Sequence, residues 1–509
     1  MIKLSSRFLL VIAFVSGLAI MAMEISASRL LAPYFGTSLF VWTNIIGIVL
    51  TALACGYYLG GKLADRRPQL NILLRLILAA GILFLIIPWT IKPLTSFIDV
   101  STLTTQGASV AVFVSSLIVT IILFSLPLLL LGMVSPFIIK LYSLAKADQI
   151  GESAGLVFAV STVGSILGTF LPTLYFIPVL GTKATINIFA TLLILLGSLG
   201  LRKNKLHLAT LIVLLLIITY AVRSTIKNNL NLIFEDESAY QYISVIQDYK
   251  GIRYLLFNEG GGIQSAYDSK QILVDMYFDY FNVLPYLIAS NQPKRVLIIG
   301  LAGGTIANQL HYFFKEEIEI EGVEIDKKVI NAGKKYFALD ESIVKIHNQD
   351  GRMFLRNSQT KYDLIIIDAY QNELYIPWTL TTLEFWNLIK DRLTSGGMVA
   401  INVNSINRES DLLNSITNTI ASVFDNTYIT PVQAGPWNYI ITAAQTRLNF
   451  ESMAKSINNP ELGDLTAIFV NQTEVVKFNE KNMILTDDRA PIEFMTEAMA
   501  FDLLRSLAL

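Results

Sequence analysis

Four carboxylates follow apolar runs in the second half of this chain, and their order suits a nucleoside ligand. Glu324 and Asp326 close the run EIEIEGVEID, Asp350 and Gly351 follow IVKIHNQ, and Asp368 stands near the end of YDLIIIDAY. Ahead of them, VLIIG leads into a turn containing Gly300, Gly303 and Gly304. Glycine lets a backbone approach a ligand closely. An acid 24 residues after Gly300 (324 − 300), at the end of a second strand, can accept from both ribose hydroxyls. A carboxylate after the third strand can accept from an adenine amino group, and one after the fourth can hold a cation. Each acid alone is equally suited to capping a helix N-terminus. Four in succession, each with the right chemistry, point to an adenosyl ligand. Gln371, three residues past Asp368, can orient a neighbour but can take no proton. Tyr240, Tyr277 and Tyr370 offer faces to a cation.

The elements that must position these residues follow from the apolar pattern. KRVLIIG, EIEIEGVEID, IVKIHNQD, YDLIIIDAY and GGMVAINVN read as five buried strands separated by helices, which implies a parallel, doubly wound sheet. In such sheets ligands sit beyond the carboxyl ends of the strands. Residues 231–290 alternate strand-like stretches such as YISVIQ and RYLLF around Gly260, Gly261 and Gly262, as a small β-subdomain would. The expected organisation is a transmembrane helical domain over 1–224, a β-hairpin subdomain over 225–290, and a Rossmann-like adenosyl-binding domain with a C-terminal extension over 291–509.

Composition separates the first part from the rest. The chain is 53% hydrophobic and only 16% charged, whereas soluble domains carry roughly 25% charged residues. Apolar runs near 8–23, 39–60, 70–91, 108–131, 154–180, 184–201 and 206–222 give a count of seven spans. Residues 1–224 hold 15 Lys/Arg and 5 Asp/Glu, leaving 39 − 15 = 24 Lys/Arg and 40 − 5 = 35 Asp/Glu beyond them. The basic half suits an anionic lipid surface. The acidic half argues against a nucleic-acid partner and is compatible with a cationic substrate. Positive-inside reasoning with seven spans would put the C-terminal half outside the cell. Supply of a nucleoside cosubstrate argues instead for a cytoplasmic face on a multi-pass cell-membrane protein, which is the placement expected here. Glu24 and Arg29 are charges beside the bilayer, expected at a helix end and paired with one another. Gly56, Gly60 and Gly61 have the spacing of close helix packing. One cysteine, Cys55, and three scattered histidines argue against a metal site.

These residues together resemble the polyamine aminopropyltransferase family, the spermidine synthase-like proteins, over roughly 235–400. ESAYQYISV matches the family's Glu-Ser-x-Tyr-Gln opening and FNEGGGIQS its Asp-Gly-x-x-Gln-Ser hairpin. The glutamate after strand two, the Asp-Gly pair and the strand before Asp368 match in order. The N-terminal membrane region and the tail LTDDRAPIE are similar to the membrane-fused type. The resemblance implies a class I methyltransferase-type fold and release of methylthioadenosine from S-adenosylmethionine or its decarboxylated form, without a metal. It implies that Glu324 holds the ribose, Asp350 the adenine and Asp368 the cationic end of the donor, with Gln241 and Gln264 along the propyl side. A small amine acceptor, the lipid bilayer and a second copy of the chain are the partners it suggests.

Three departures bear on mechanism. The family's loop Gly-Gly-Gly-Asp-Gly is here Gly-Leu-Ala-Gly-Gly, its Tyr-His-Glu is Tyr277-Phe278-Asp279, and its Asp-x-x-Asp is Asp368-Ala-Tyr-Gln371. The second Asp of that last motif deprotonates the attacking amine, a step an amine nucleophile requires. Several readings stay open. An aminopropyltransferase could use another acid, Asp279, Asp488 or Glu493, as base. The donor's own carboxylate could displace the sulfonium and close a lactone, which needs no base. A methyl group could move from ordinary S-adenosylmethionine, or the domain could bind the ligand without reaction and gate the membrane part. Catalytic candidates are therefore Asp368, Gln371, Tyr370 and Asp279.

Overall fold

A computed structural model describes residues 6–97, 108–145, 150–199, 231–258, 262–288, 294–371, 375–432 and 438–507. The chain forms two compact units. The first comprises Met1–Thr105, Val110–Asn228 and Glu235–Tyr242, and the second Gln106–Ser109, Asn229–Phe234 and Ile243–Leu509.

The first unit is built from apolar helices: α1 (Ser6–Phe35), α2 (Leu39–Arg66), α3 (Leu70–Phe97), α4 (Ala108–Gly132), α5 (Val134–Ala145), α6 (Ile150–Leu171) and α7 (Thr182–Leu199). Among the described residues, five stretches are long and apolar enough to cross a membrane: Ser6–Phe35, Leu39–Arg66, Leu70–Thr95, Phe113–Leu144 and Ile150–Leu180. The fourth joins α4 to α5, and the fifth continues α6 through a π-helical turn at Pro172–Phe176. Of the seven expected spans, the run at 184–201 is the shorter apolar helix α7, and the run at 206–222 lies outside the described residues.

Lipid supplies little drive for helices to associate, so close packing through small residues must do so. A Cβ on Gly164 of α6 would lie 2.1 Å from the Phe14 carbonyl oxygen of α1, and one on Gly168 would lie 2.1 Å from that of Leu18. The expected packing role holds for Gly56 and Gly60, whose Cβ positions fall 2.3 Å from the Leu129 oxygen and 2.5 Å from Met133 Cα, while Gly61 meets open space. Residues 235–242 join this unit through polar contacts. The half-buried Glu237 carboxylate accepts from the Thr182 amide at 2.6 Å and from its hydroxyl at 2.8 Å. Arg29 donates to the Ala239 carbonyl.

The small sheet runs β1 (Leu232–Glu237), β2 (Tyr242–Gln247), β3 (Arg253–Phe257), β4 (Ile263–Tyr267), in that order. The large sheet has eight strands: β5 (Lys294–Ile299), β6 (Ile318–Val323), β7 (Lys345–His347), β8 (Tyr362–Ile367), β9 (Leu393–Asn404), β10 (Asn426–Val432), β11 (Asn438–Ala444) and β12 (Glu474–Val476). Their spatial order is β12-β10-β11-β9-β8-β5-β6-β7. The five expected strands, β5 to β9, are parallel neighbours. The sheet is nevertheless mixed, because β11 pairs antiparallel with β9, and β10 with both β11 and β12. Antiparallel partners need no crossover helix between them, and β10 and β11 lie close in sequence.

Helices α8 (Thr305–Phe314), α9 (Lys327–Tyr336), α10 (Gly351–Asn357), α11 (Leu383–Arg392), α12 (Asp411–Ala421), α13 (Phe450–Ser456), α14 (Gly463–Gln472) and α15 (Ile492–Leu507) complete the second unit. One core, with Ile298, Leu310, Ile366 and Phe469, covers one face of the sheet. A second, with Ile299, Ile367, Trp386 and Ile416, covers the other. Strand order reverses at β5 and β8, the place where a doubly wound sheet opens a crevice.

Putting valine at Gly164 should force α1 and α6 apart. Overpacking of this kind costs about 1–3 kcal/mol, so Gly164→Val should unfold at a lower temperature in detergent than the wild type, measured by tryptophan fluorescence.

Candidate active site

The glycine turn is shaped by its neighbours. Gly300 has φ +88° and Gly304 φ +90°, conformations that glycine adopts without strain. A Cβ on Gly300 would lie 2.3 Å from the Asp368 carbonyl oxygen, so the ends of β5 and β8 approach only because that position is bare. Ala302 takes φ +47°. Its amide donates to Glu324 Oε2 at 3.0 Å, and the Asp326 amide donates to Oε1 at 3.0 Å. Glu324 therefore pins the glycine turn to the end of β6. Burial pushes its carboxyl up to about 7, against the pull of those amides.

Asp326 and Asp350 are both helix caps. Asp326 accepts from the Lys328 amide at 2.9 Å at the start of α9, and Asp350 accepts from the Met353 amide at 2.8 Å at the start of α10. Gly351 is required for packing, since a Cβ there would lie 2.4 Å from Ile299 Cγ2. Asn348 donates to the carbonyls of Glu324 and Ile325 at 2.9 and 2.8 Å, tying the β7 and β6 ends together.

Asp368 is only 8% exposed at the end of β8. Tyr277 donates its hydroxyl to Oδ2 at 3.0 Å and Asn402 donates Nδ2 to Oδ1 at 3.2 Å. Among the described residues no basic side chain pairs with this carboxylate. Burial pushes it up to about 7, only partly offset by the two neutral donors. The Tyr277 hydroxyl is held well above its ordinary value by burial and then by Asp368. Asn438 on β11 donates to Asn402 Oδ1 at 2.9 Å and to Asn404 Oδ1 at 2.7 Å, fixing which way the Asn402 amide faces.

The remaining candidates separate. Tyr370 donates to the Asn402 carbonyl at 2.9 Å and accepts from the Asn404 amide at 3.0 Å, so its hydroxyl fastens β8 to β9. Asp279 does not stand ready as a base. Its carboxylate is buried and accepts from the amides of Val274 and Met276 and, at 2.6 Å, from Gln309 Nε2, holding the 274–279 turn against α8. Gln371 is exposed and forms a two-way backbone bridge with Tyr375, at 2.7 and 3.3 Å. Gln264 is buried on β4, and beside it Ser265 accepts from the Gly303 amide at 2.8 Å. Gln241 belongs to the first unit, where its amide and carbonyl close a turn on Ser238.

Sequence reasoning missed Asn402, Asn438, Asn348 and Ser265. For Asn402 a signal existed, a polar residue inside the apolar strand GGMVAINVN. Asn438 carries no such mark, because its role depends on an antiparallel register that places it opposite Asn404. The TDDR stretch forms a turn, and Asp487 within it receives both Arg352 guanidinium nitrogens, at 2.8 and 2.6 Å, and the Thr382 hydroxyl at 2.7 Å.

The spermine/spermidine synthase domain profile matches residues 281–455. A probable polyamine aminopropyl transferase of Bifidobacterium longum (strain NCC 2705) is 30% identical over 283 residues, which are 52% of this chain and 62% of that protein. The aligned part thus falls just short of two thirds of that relative. The polyamine aminopropyltransferase of Vibrio vulnificus (strain CMCP6) is 31% identical over 224 residues, 43% of this chain and 73% of that one. A probable spermidine synthase from Corynebacterium glutamicum ATCC 13032 superimposes with a TM-score of 0.41 at 19% identity, covering 50% of this chain and 96% of that one. With strand ends, glycine turn and buried acids in the order the resemblance requires, the chain belongs to the spermine/spermidine synthase family of polyamine aminopropyltransferases.

Proposed function

We propose that this protein is a membrane-bound, aminopropyltransferase-like enzyme that displaces the alkyl arm of S-adenosylmethionine, decarboxylated or not, and releases methylthioadenosine. The observation that carries this reading is Asp368, a buried carboxylate with two neutral donors and no counter-charge among the described residues. A lone buried carboxylate is costly, and an arriving cation removes that cost. A sulfonium donor with an ammonium on its alkyl arm supplies such a charge. In this reading Glu324 takes the ribose hydroxyls, Asp350 the adenine edge and Asp368 the ammonium. Displacement at the carbon next to sulfur then requires mainly an in-line nucleophile, which positioning provides. Cytoplasmic supply of the donor favours a cytoplasmic catalytic unit.

A second reading has support from one feature. Neither Gln371 nor Asp279 offers a free base, and closure of the donor's own carboxylate onto its γ-carbon to give a lactone needs none. Incubating the full chain with each donor, with and without putrescine, separates the two. Methylthioadenosine that depends on amine supports transfer, product from S-adenosylmethionine without amine supports cyclisation, and no product from any combination overturns both.

Replacing Asp368 by asparagine removes the anion while keeping its shape. Turnover should fall by about a hundredfold or more, because a positioned charge of this kind contributes on that order. Methylthioadenosine quantified by chromatography reads the result.

The pH dependence has a definite sign. Asp368 and Glu324 both stand near 7 in the fold, above the ordinary carboxyl range near 4. Protonation is thus favoured by folding, and the stability these groups contribute is full below about 4 and is lost as pH rises through about 7. A cationic donor binds the ionised forms. Its affinity should therefore fall as pH drops from 8 to 6, and binding near pH 6.5 should release protons. Calorimetry in two buffers of different ionisation enthalpy measures that release, which should shrink in Asp368→Asn.

A further inference from the structure

Among the described residues, the position of the family's second aspartate holds Gln371, and a hydrogen-bonded path leads from it to a carboxylate on α15. Gln371 stands three residues past Asp368 in the same strand-to-helix connection and cannot accept a proton. Its backbone is locked to Tyr375 in both directions, at 2.7 and 3.3 Å, which fixes Tyr375 beside it. The Tyr375 hydroxyl donates to the carboxylate of Glu497 on α15. That helix is held in place from its other side, where Ile492, Thr496 and Met499 are buried and Ile492 and Met499 join the core around Trp386. Glu497 lies one position beyond Thr496 and is only partly exposed. Asp279 is engaged by Val274, Met276 and Gln309, and Asp487 by Arg352 and Thr382.

We propose that Glu497, oriented by Tyr375, is the carboxylate that binds the acceptor's ammonium and takes its proton, in the role Gln371 cannot perform. This inference rests on the amine-transfer reading given above. In the step, one proton passes from the acceptor ammonium to Glu497. The freed nitrogen lone pair forms the new N–C bond, the C–S bonding pair moves to sulfur, and neutral methylthioadenosine leaves. The product nitrogen carries the charge that sulfur has lost, and Glu497 returns its proton to solvent. A carboxylate on a C-terminal helix is hard to find from sequence, because 126 residues (497 − 371) separate it from the glutamine whose task it takes.

The test uses the purified full chain in detergent, with each donor and with putrescine as the amine probe. Glu497→Gln should lower kcat/KM for putrescine on the order of a hundredfold, the usual contribution of a positioned base. The dissociation constant for the donor should stay at the wild-type value. At saturating donor, wild-type kcat/KM for putrescine should fall with falling pH, and that fall should weaken in the variant, since one proton-accepting group is gone. Tyr375→Phe should give a smaller loss in the same parameter, and Glu497→Asp should recover part of it. A merely structural role would move donor binding and the unfolding temperature with kcat/KM, and that pattern overturns the proposal, as does a Glu497→Gln enzyme with wild-type putrescine kinetics. Amine-independent product in the wild type would instead overturn the transfer reading itself, and this assignment with it.

Discussion

The site depends on one buried anion held by neutral neighbours. The Asp368 carboxylate is joined to Tyr277 and Asn402, and neither can cancel its charge. Burying a carboxylate without a partner is among the more expensive things a fold can do, and proteins meet it by raising the pKa. That is what happens here. The surrounding structure then has to hold the group still. Asn402 is itself fixed by Asn438, and the Tyr370 hydroxyl clamps the backbone of Asn402 and Asn404 to the end of β8. The result is a set of dipoles arranged in advance around a charge that no described basic side chain balances, the condition under which a cationic ligand gains most from binding. The stability this arrangement costs must come from elsewhere, and the two cores that flank the sheet are its evident source.

Much of this arrangement is legible in the linear sequence, because it follows from local pattern. Apolar runs of strand length, each ending in glycine or an acid, identify β5 to β9 and place Glu324, Asp350 and Asp368 at their ends. What is not legible depends on register and on distant chain. Asn438 reaches Asn402 only through the antiparallel pairing of β11 with β9. Asp279 looks available in the sequence, yet two amides and Gln309 occupy it, and nothing in its local composition reports that. Asp326 and Asp350 show the reverse ambiguity. Both have the cap role that any acid before a helix invites.

The glycines teach a similar lesson. A glycine-rich turn suggests a backbone opened for a ligand, and at Gly300 and Gly351 the structure gives a different cause. At Gly300 the bare position admits the Asp368 backbone, and at Gly351 it admits the Ile299 side chain. These contacts draw β5, β8 and the start of α10 together at the point where strand order reverses. The close approach of the strand ends at the switch point is therefore a consequence of bare glycine positions. The helical unit uses glycine in the same way at Gly164 and Gly168, where the contact is again with backbone.

Gly303 is closely packed as well. Family members place an acid in this loop, and here its position has no room for any side chain. A Cβ on Gly303 would lie 2.9 Å from Ser265 Cβ and 3.1 Å from the Phe337 ring, and the Gly303 amide is already bonded to the Ser265 hydroxyl. The loss of that acid is thus built into the packing between β4 and the turn, so restoring it would require Ser265 to move as well. With glutamine at 371 too, two of the three acids of the family pattern are replaced, and Asp368 is the one retained. A single buried anion balances a single cation well and a dication poorly. On the proposed reading, charge balance at Asp368 favours one ammonium on the donor, and any second charge brought by an acceptor has to be met from outside the strand ends.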